Sequence, residues 1–477
     1  MRRLFAALSL LLMAACVGPE AAGQGASGSL ALTGVTVIDV AAAGPDSARI
    51  PNQTVLVHDG RITAVGKAGT TRIPRGARVL DGRGRFLIPG LWDSHTHLTM
   101  FGDAVLPLLV SQGVTSVRDM GGVPETLSGW QKSVASGERL GPRIFHAGSL
   151  IEAAWWLDRV SAGIKSTPEL AYFPFLQVSP RLRLASAAEA PATVAQVKAS
   201  GADLVKFRNL RGAEFQAVAA EAARLGLLLT GHVPRGIMPG EAAEAGMASV
   251  EHMETVSLAL GNAPDRERRR QFERMAKAGT AITATMTTDV AYRQTPDARA
   301  YAIIDDMRNV IDARRRFLSP LALAAWRFGL DIKKLEGPGE DHAALHRRQL
   351  ADLRLAADAG VRILIGTDIT VSLIFPGYSV HEEMAYLVRK AGLTPLEALR
   401  GATLYAAQTM RDPVSGRISP GQRADMLLLS SDPLSRIEAT SQIEAVVLNG
   451  RYLGRSQLRA LQERSAAIAA RESSSSK

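Results

Sequence analysis

The chain has 477 residues, of which 46% are hydrophobic and 21% charged, and a formal net charge of +10. That length exceeds one ordinary domain and suits a large barrel with an appendage, and the composition is that of a globular protein with a large buried core. The positive charge is mostly arginine scattered along the chain, with short runs only at Arg268-Arg269-Arg270 and Arg314-Arg315-Arg316; with no nucleic-acid motif beside them, a nucleic-acid partner is not expected.

The chain opens Met1-Arg2-Arg3, runs almost wholly apolar from Leu4 to Ala15 and reaches its single cysteine, Cys16. One cysteine gives neither a disulfide framework nor a cysteine-ligated metal. A charged start followed by an apolar stretch too short to span a bilayer reads as a signal peptide over residues 1–16. Leu12-Met13-Ala14-Ala15-Cys16 resembles a bacterial lipobox, in which the cysteine becomes the lipidated N-terminus; the alternative is an ordinary signal peptide cut near Ala22 or Gly23. The expectation is an exported protein, periplasmic or held at the outer membrane by a lipid on Cys16, with no other membrane contact. Residues 17–29, rich in Gly, Ala and Ser, follow as a flexible tether.

Residues 30–86 read as short β-branched strands: Ala31–Asp39, Gln53–His58, Arg61–Val65 and Ala77–Asp81, with Asp59-Gly60 as a hairpin turn. After Pro89-Gly90 the pattern changes to buried strands alternating with amphipathic helices. Candidate strands are Val114–Arg118, Arg143–Phe145, Leu204–Phe207, Leu227–Thr230, Ala248–Glu251, Ala281–Thr285 and Arg362–Ile365. Helices are expected over Ala213–Leu225 and Leu345–Ala359, among others. Repeated βα units over residues 87–412 predict an α/β protein with a parallel barrel or a doubly wound sheet. Residues 288–345 form a helical insertion before the last of these strands, expected to act as a lid. Ala424–Leu429 and Ile443–Asn449, within residues 413–455, return to complete the first sheet, and residues 456–477 end the chain as a helix and a disordered Ser-rich tail.

The sharpest chemical signal is Pro89-Gly-Leu-Trp-Asp-Ser-His95-Thr-His97. Histidines at i and i+2 on a strand share one face, so both imidazoles can reach one metal. Lys206 ends an apolar strand, where burial favours the neutral amine. A neutral amine can add carbon dioxide to give a carbamate; the alternative is an ammonium that snorkels to the rim. His232, His252 and Asp368 each follow a further short apolar strand. Singly, each is ordinary: a hydrogen-bonded core histidine, or an aspartate capping a helix. Together they occupy the C-terminal ends of different strands, where barrel enzymes place their sites. Among the other histidines, His146 and His381 are candidates for substrate contact, and Trp155-Trp156 for shaping the pocket. His342 and His346, at i and i+4, read as a solvated helix, and His58 belongs to the small sheet.

The order His-x-His, Lys, His, His, Asp, inside Leu-Ile-Pro-Gly-Leu-Trp-Asp-Ser-His-Thr-His and Ile-Gly-Thr-Asp, resembles the binuclear amidohydrolases. It is most similar to the branch related to imidazolonepropionases and metal-dependent dipeptidases. The resemblance runs from about Leu30 to Leu453 and takes in Asp59–Val65, Gly113–Asp119, Gly201–Lys206, Leu393–Leu399 and Gly421–Leu429. It implies a (β/α)8 TIM barrel with a small β-sandwich domain built from both ends of the chain. It further implies two divalent metals, zinc by default from the histidine-rich shell, with Lys206 carboxylated by carbon dioxide. His95, His97 and Asp368 would bind the first metal, and carboxylated Lys206 would bridge to a second held by His232 and His252. Asp368, with His252, would be catalytic, Asp368 moving a proton from the bridging water to the leaving nitrogen. One departure stands out: Gly231-His232-Val233-Pro234 replaces the His-Gly common after this strand in the branch. The function expected is hydrolysis of an amide-type C–N bond in a dipeptide, N-acyl amino acid or cyclic amide, by a protein acting on a small molecule and assembling as a homo-oligomer. The alternatives are an ester, lactone or organophosphate hydrolase on the same site, a mononuclear deaminase if Lys206 is not carboxylated, and a non-catalytic surface lipoprotein.

Overall fold

A computed structural model describes residues 28–167, 173–334 and 341–475. The leader, Cys16, nearly all of the tether and residues 476–477 lie outside the described residues. No helix among the described residues is long and apolar enough to cross a membrane.

The N-terminal strands are β1 (Leu30–Ile38), β2 (Arg49–His58), β3 (Arg61–Lys67), β4 (Arg78–Asp81) and β5 (Phe86–Pro89). Asp59 and Gly60, with φ of 47° and 73°, make the left-handed pair that a tight β2–β3 turn requires. Ten strands follow: β6 (Leu91–Thr96), β7 (Val114–Asp119), β8 (Arg143–His146), β9 (Leu150–Ala153), β10 (Arg181–Leu184), β11 (Leu204–Arg208), β12 (Leu228–Gly231), β13 (Met247–Glu251), β14 (Ala281–Thr283) and β15 (Ile363–Leu364). They pair in parallel, in the orders β6-β7-β8 and β10-β9-β11-β12-β13-β14-β15. Backbone hydrogen bonds from Asp203 N to His146 O and from Ser94 N to Ile365 O, both 2.9 Å, link the two groups, one beside β8 and β11, the other beside β15 and β6.

Eight of these strands therefore alternate with helices in a TIM-barrel-like arrangement. The other two, β9 and β10, are a parallel pair that the sequence pattern does not announce. Strand β9 lies against the C-terminal end of β11, pairing Ile151 with Phe207 and Glu152 with Arg208. Strand β14 stops short of the expected Thr285, which sits at φ 50° and turns the chain out of the sheet. Between β14 and β15 the chain is largely helical, at Met286–Asp289, Asp297–Asp305 and Pro320–Lys333.

The chain then returns as β16 (Met426–Leu429), β17 (Ile443–Leu448) and β18 (Arg451–Gly454), with β16 antiparallel to β5. The pairing joins both ends of the chain into one eight-stranded sheet, β18-β17-β16-β5-β1-β2-β3 with β4 beside β1, as the strand pattern predicts, where the family resemblance implies a small β-sandwich. Period-two alternation gives this sheet two buried faces. Leu32, Val55, Val57, Met426, Leu428 and Val447 share one small core, while Ile88, Leu427, Leu429 and Val446 pack into the large core of the barrel. A terminal helix, Arg455–Ser475, adds Leu458 and Leu461 to that large core, and its backbone continues through serines expected to be disordered.

Leu427 is fully buried on the face turned to the barrel. Leu427→Ala is expected to destabilise the protein by roughly 2–5 kcal/mol, read as a lower denaturant midpoint at an unchanged slope. A loss well under about 1 kcal/mol would mean that this face contributes little to barrel packing.

Candidate metal centre and active site

His95 lies on strand β6 and His97 directly follows its end, and every other candidate ligand comes from the end of another strand. Lys206 is on β11, His232 follows β12, His252 follows β13 and Asp368 follows β15. All six side chains line one cavity of about 850 Å³. The ligand atoms of His95, His97 and Asp368 lie within 4.8 Å of one another. His97 Nε2 is 3.5 Å and His252 Nε2 4.0 Å from the Asp368 carboxylate. The ring centroids of His95 and His252 are 4.6 Å apart, and those of His232 and His252 5.0 Å.

Each placement has a local cause. Asp93 accepts from His95 N at 3.2 Å, from Thr367 N at 3.0 Å and from Thr367 Oγ1 at 2.5 Å, clasping β6 to the Gly366-Thr367-Asp368 turn. Asp368 N donates to His95 O at 2.8 Å. A Cβ on Gly366 would stand 2.8 Å from His95 Cβ, so only glycine admits this approach. His252 and Asp368 hold φ of 66° and 50°, conformations that cost a non-glycine residue energy and are retained where the surroundings impose them.

The imidazoles are aimed by their Nδ1 atoms. His95 Nδ1–H donates to Glu251 at 2.9 Å, His97 Nδ1–H donates to Gly121 O at 2.7 Å, and His252 Nδ1 is hydrogen-bonded to Thr285 Oγ1 at 2.8 Å. The acceptor-only partners fix the tautomers of His95 and His97 and leave their Nε2 lone pairs toward a cation, while the Thr285 hydroxyl holds the His252 ring in place. Burial pushes all four imidazoles down, His97 to about 3, so they are neutral with lone pairs available. Burial would raise Asp368, but His95, His97 and His252 outweigh it and hold the carboxyl below its ordinary range. Burial pushes Lys206 down to about 7 against the pull of Glu251, and its Nζ is buried without a hydrogen-bond partner. Neutral imidazoles, an ionised carboxylate and an orphaned amine able to become a carbamate form a donor set suited to divalent cations.

Two residues that motif reading overlooks hold this set in place. Glu251 is fully buried and accepts from Arg118 at 2.8 Å, Thr230 Oγ1 at 2.6 Å and Ser249 Oγ at 2.6 Å besides His95. Arg118 also donates to Ser94 O at 2.7 Å and Thr283 Oγ1 at 2.9 Å, so one ion pair crosses the middle of the barrel. A Glu immediately before His252 and an Arg inside an apolar strand were the available signals, since neither charge can be buried unpaired.

The residues suggested for substrate contact separate. Trp156 lines the cavity, whereas Trp155 stands behind it, donating to Asn209 O at 3.2 Å. His146 does not face the cavity: its ring meets Ser128 Oγ at 3.4 Å, on the helix that packs outside β8. His381 is also outside, its two ring nitrogens bonded to Thr440 Oγ1 at 3.0 Å and Gln112 O at 2.9 Å, which makes it a brace between helices. His346 is buried on Asp289 at 2.6 Å and Tyr386 at 2.7 Å, not solvated as its helical spacing suggests. The segment between β14 and β15 supplies another wall: Trp326 and Phe328, with Arg293 paired to both Glu254 and Asp289.

The profile of the amidohydrolase family matches residues 86–453. Among curated proteins, an ochratoxinase of Aspergillus niger is 25% identical over 411 residues, covering 76% of this chain and 73% of its own. An imidazolonepropionase of Symbiobacterium thermophilum is 26% identical over 405 residues, covering 81% of this chain and 85% of its own. Among solved structures, a Xaa-Pro dipeptidase with methionine bound in its active site superposes with a TM-score of 0.65 at 19% identity, over 89% of this chain and 100% of that one.

Glu251→Gln keeps the shape of the central ion pair and removes its negative charge. The expected result is a loss of roughly 3–5 kcal/mol in thermal denaturation, because Arg118 is left uncompensated. Divalent-cation binding should weaken about 10- to 100-fold through the loosened His95. Unchanged stability and binding would show that Glu251 neither balances Arg118 nor orients His95.

Proposed function

This chain belongs to the amidohydrolase family, and we propose that it is a metal-dependent hydrolase of an amide-type C–N bond in a small molecule: a dipeptide, an N-acyl amino acid or a cyclic amide. The observation that carries the reading is the convergence of His95, His97, Lys206, His232, His252 and Asp368, from separate strand ends, on one cavity. The names of the relatives support the same bond class, since they include an imidazolonepropionase and a Xaa-Pro dipeptidase.

In this proposal His95, His97 and Asp368 would hold one divalent cation and His232 and His252 a second, with Lys206, as a carbamate, as a further ligand. When bound, such cations lower the pKa of a water and polarise the substrate carbonyl. Asp368, ionised and beside His97 and His252, accepts the water's proton at its carboxylate and returns it to the leaving nitrogen. Glu251 and Gly121 keep the His95 and His97 rings from turning. Trp326 and Phe328 limit solvent at one wall. The leader and Cys16 add to the proposal that the enzyme works outside the cytoplasm, tethered by a lipid.

Metal analysis tests the site directly. Protein lacking residues 1–23 is expected to carry about two divalent ions per chain and Lys206→Ala fewer, as a bridged pair of cations requires. Asp368→Asn should lose at least about 100-fold in kcat on a panel of dipeptides and N-acyl amino acids. One ion or none, indifferent to Lys206, would remove the binuclear reading. Turnover of esters or lactones but no amide would remove the bond class.

A further inference from the structure

The cavity is uneven in charge. On the wall from the β14–β15 segment, Arg293 is neutralised by Glu254 and Asp289. On the opposite side, Arg208 lines the cavity with its nearest carboxylate, Glu152, 3.9 Å away, beyond hydrogen-bond reach. Glu152 is itself fully buried, with Oε1 taken by Asn209 Nδ2 at 2.9 Å and Oε2 also facing Arg181 at 4.0 Å. The Arg208 Nε is buried without a hydrogen-bond partner, and its guanidinium lies 5.0 Å from the centre of the Trp156 ring. Among the described residues, no carboxylate stands within hydrogen-bond distance of Arg208.

Position makes this arginine useful. Lys206 and Arg208 are i and i+2 on β11, so both side chains point to the same face, with Arg208 about 6–7 Å nearer the mouth. The β9 register that sets Glu152 opposite Arg208 orients the guanidinium while leaving its fork of donors for another group. A planar guanidinium, held over an aromatic face and short of hydrogen-bond acceptors, matches a carboxylate in two parallel bonds. In an N-acyl amino acid, or a peptide cut at its last bond, the free carboxylate lies two bonds beyond the nitrogen of the bond to be cut, within reach of a group one strand step above the candidate ligands.

We propose that Arg208 reads a carboxylate on the substrate, so that the enzyme selects N-acyl amino acids or peptides with a free C-terminus over their neutral amides. The proposal rests on the amide-hydrolase reading for the identity of the bond, but not for recognition of the charge. Arg208 is on this account a specificity-determining residue: its guanidinium binds the carboxylate and takes no part in proton transfer.

Two measurements on the full mature chain with its metals separate recognition from chemistry. The first compares kcat/KM for N-acyl amino acids with that for the corresponding C-terminal amides. The wild type should prefer the acids by about 10- to 100-fold, Arg208→Gln should bring the ratio near one, and Arg208→Lys should restore part of it. The second is calorimetric binding of two probes that lack the N-acyl bond, N-benzylglycine and N-benzylglycinamide, with the same preference and the same order of variants expected. An acid preference that survives Arg208→Gln, or a loss that falls equally on acid and amide in both measurements, overturns the proposal. Turnover of amides with no acid preference overturns it and leaves the amide-hydrolase reading standing. The expected binding pattern with no amide turned over does the reverse.

Discussion

The buried ion pair between Arg118 and Glu251 is the constraint on which the rest of the site depends. Neither charge can stand alone in an apolar barrel, and each is matched by the other and by a full set of hydrogen bonds. The pair ties β7 to β13 across the middle of the barrel, while Thr230 and Thr283 bring in β12 and β14. Its remaining carboxylate contact goes to His95, so the same interaction that satisfies the barrel's buried polar groups also aims a candidate metal ligand. Packing and chemistry therefore share an atom here, and a change on one side is felt on the other.

A second tie sets the geometry at the seam between the last strand and the first. Asp93 accepts two hydrogen bonds from Thr367 in the Gly366-Thr367-Asp368 turn and a third from His95 N, and Gly366 lets that turn lie against His95. Asp368 and His252 reach inward from left-handed backbone, which neither would adopt without such ties. The strain and the desolvated donors both cost stability, as expected where a fold is shaped for binding instead of for its own packing. The large shared core, sealed by the returning strands and the terminal helix, is what offsets that cost.

How much of this could be read from the sequence follows from the range of each interaction. His95 and His97 were legible because i and i+2 on a strand must share a face, and the βα pattern placed Lys206, His232, His252 and Asp368 at strand ends. Alternation also told that strands from both ends of the chain would complete one sheet, through which hydrogen bonding runs from β18 to β3. What stayed hidden depends on contacts between residues far apart in the chain. Nothing within a few residues of His146 or His381 says which side of the barrel its ring faces; Ser128, Thr440 and Gln112 decide that. The short β9 and β10 strands carry too few residues to show a period, and Glu251 looked like any acid beside a histidine until Arg118 stood opposite it.

The same limit explains why the substrate wall emerged only from the fold. Arg208 follows Lys206 by two residues, one position beyond the strand expected from the sequence. Its meaning comes from β9, inserted after β8, which brings Glu152 alongside at a distance that steers the guanidinium without binding it. The strands that carry the candidate ligands are short and closely tied, whereas the walls come from insertions: Trp156 beyond β9, and Trp326 and Phe328 between β14 and β15. The geometry of the candidate ligands is thus constrained by the barrel's own hydrogen bonds, while the groups that would meet the rest of a substrate sit on segments free to vary without disturbing it. A chain built this way can keep one chemistry and change what it acts on, and Arg208 lies at the boundary between the two, on a strand that carries a candidate ligand and facing the same cavity.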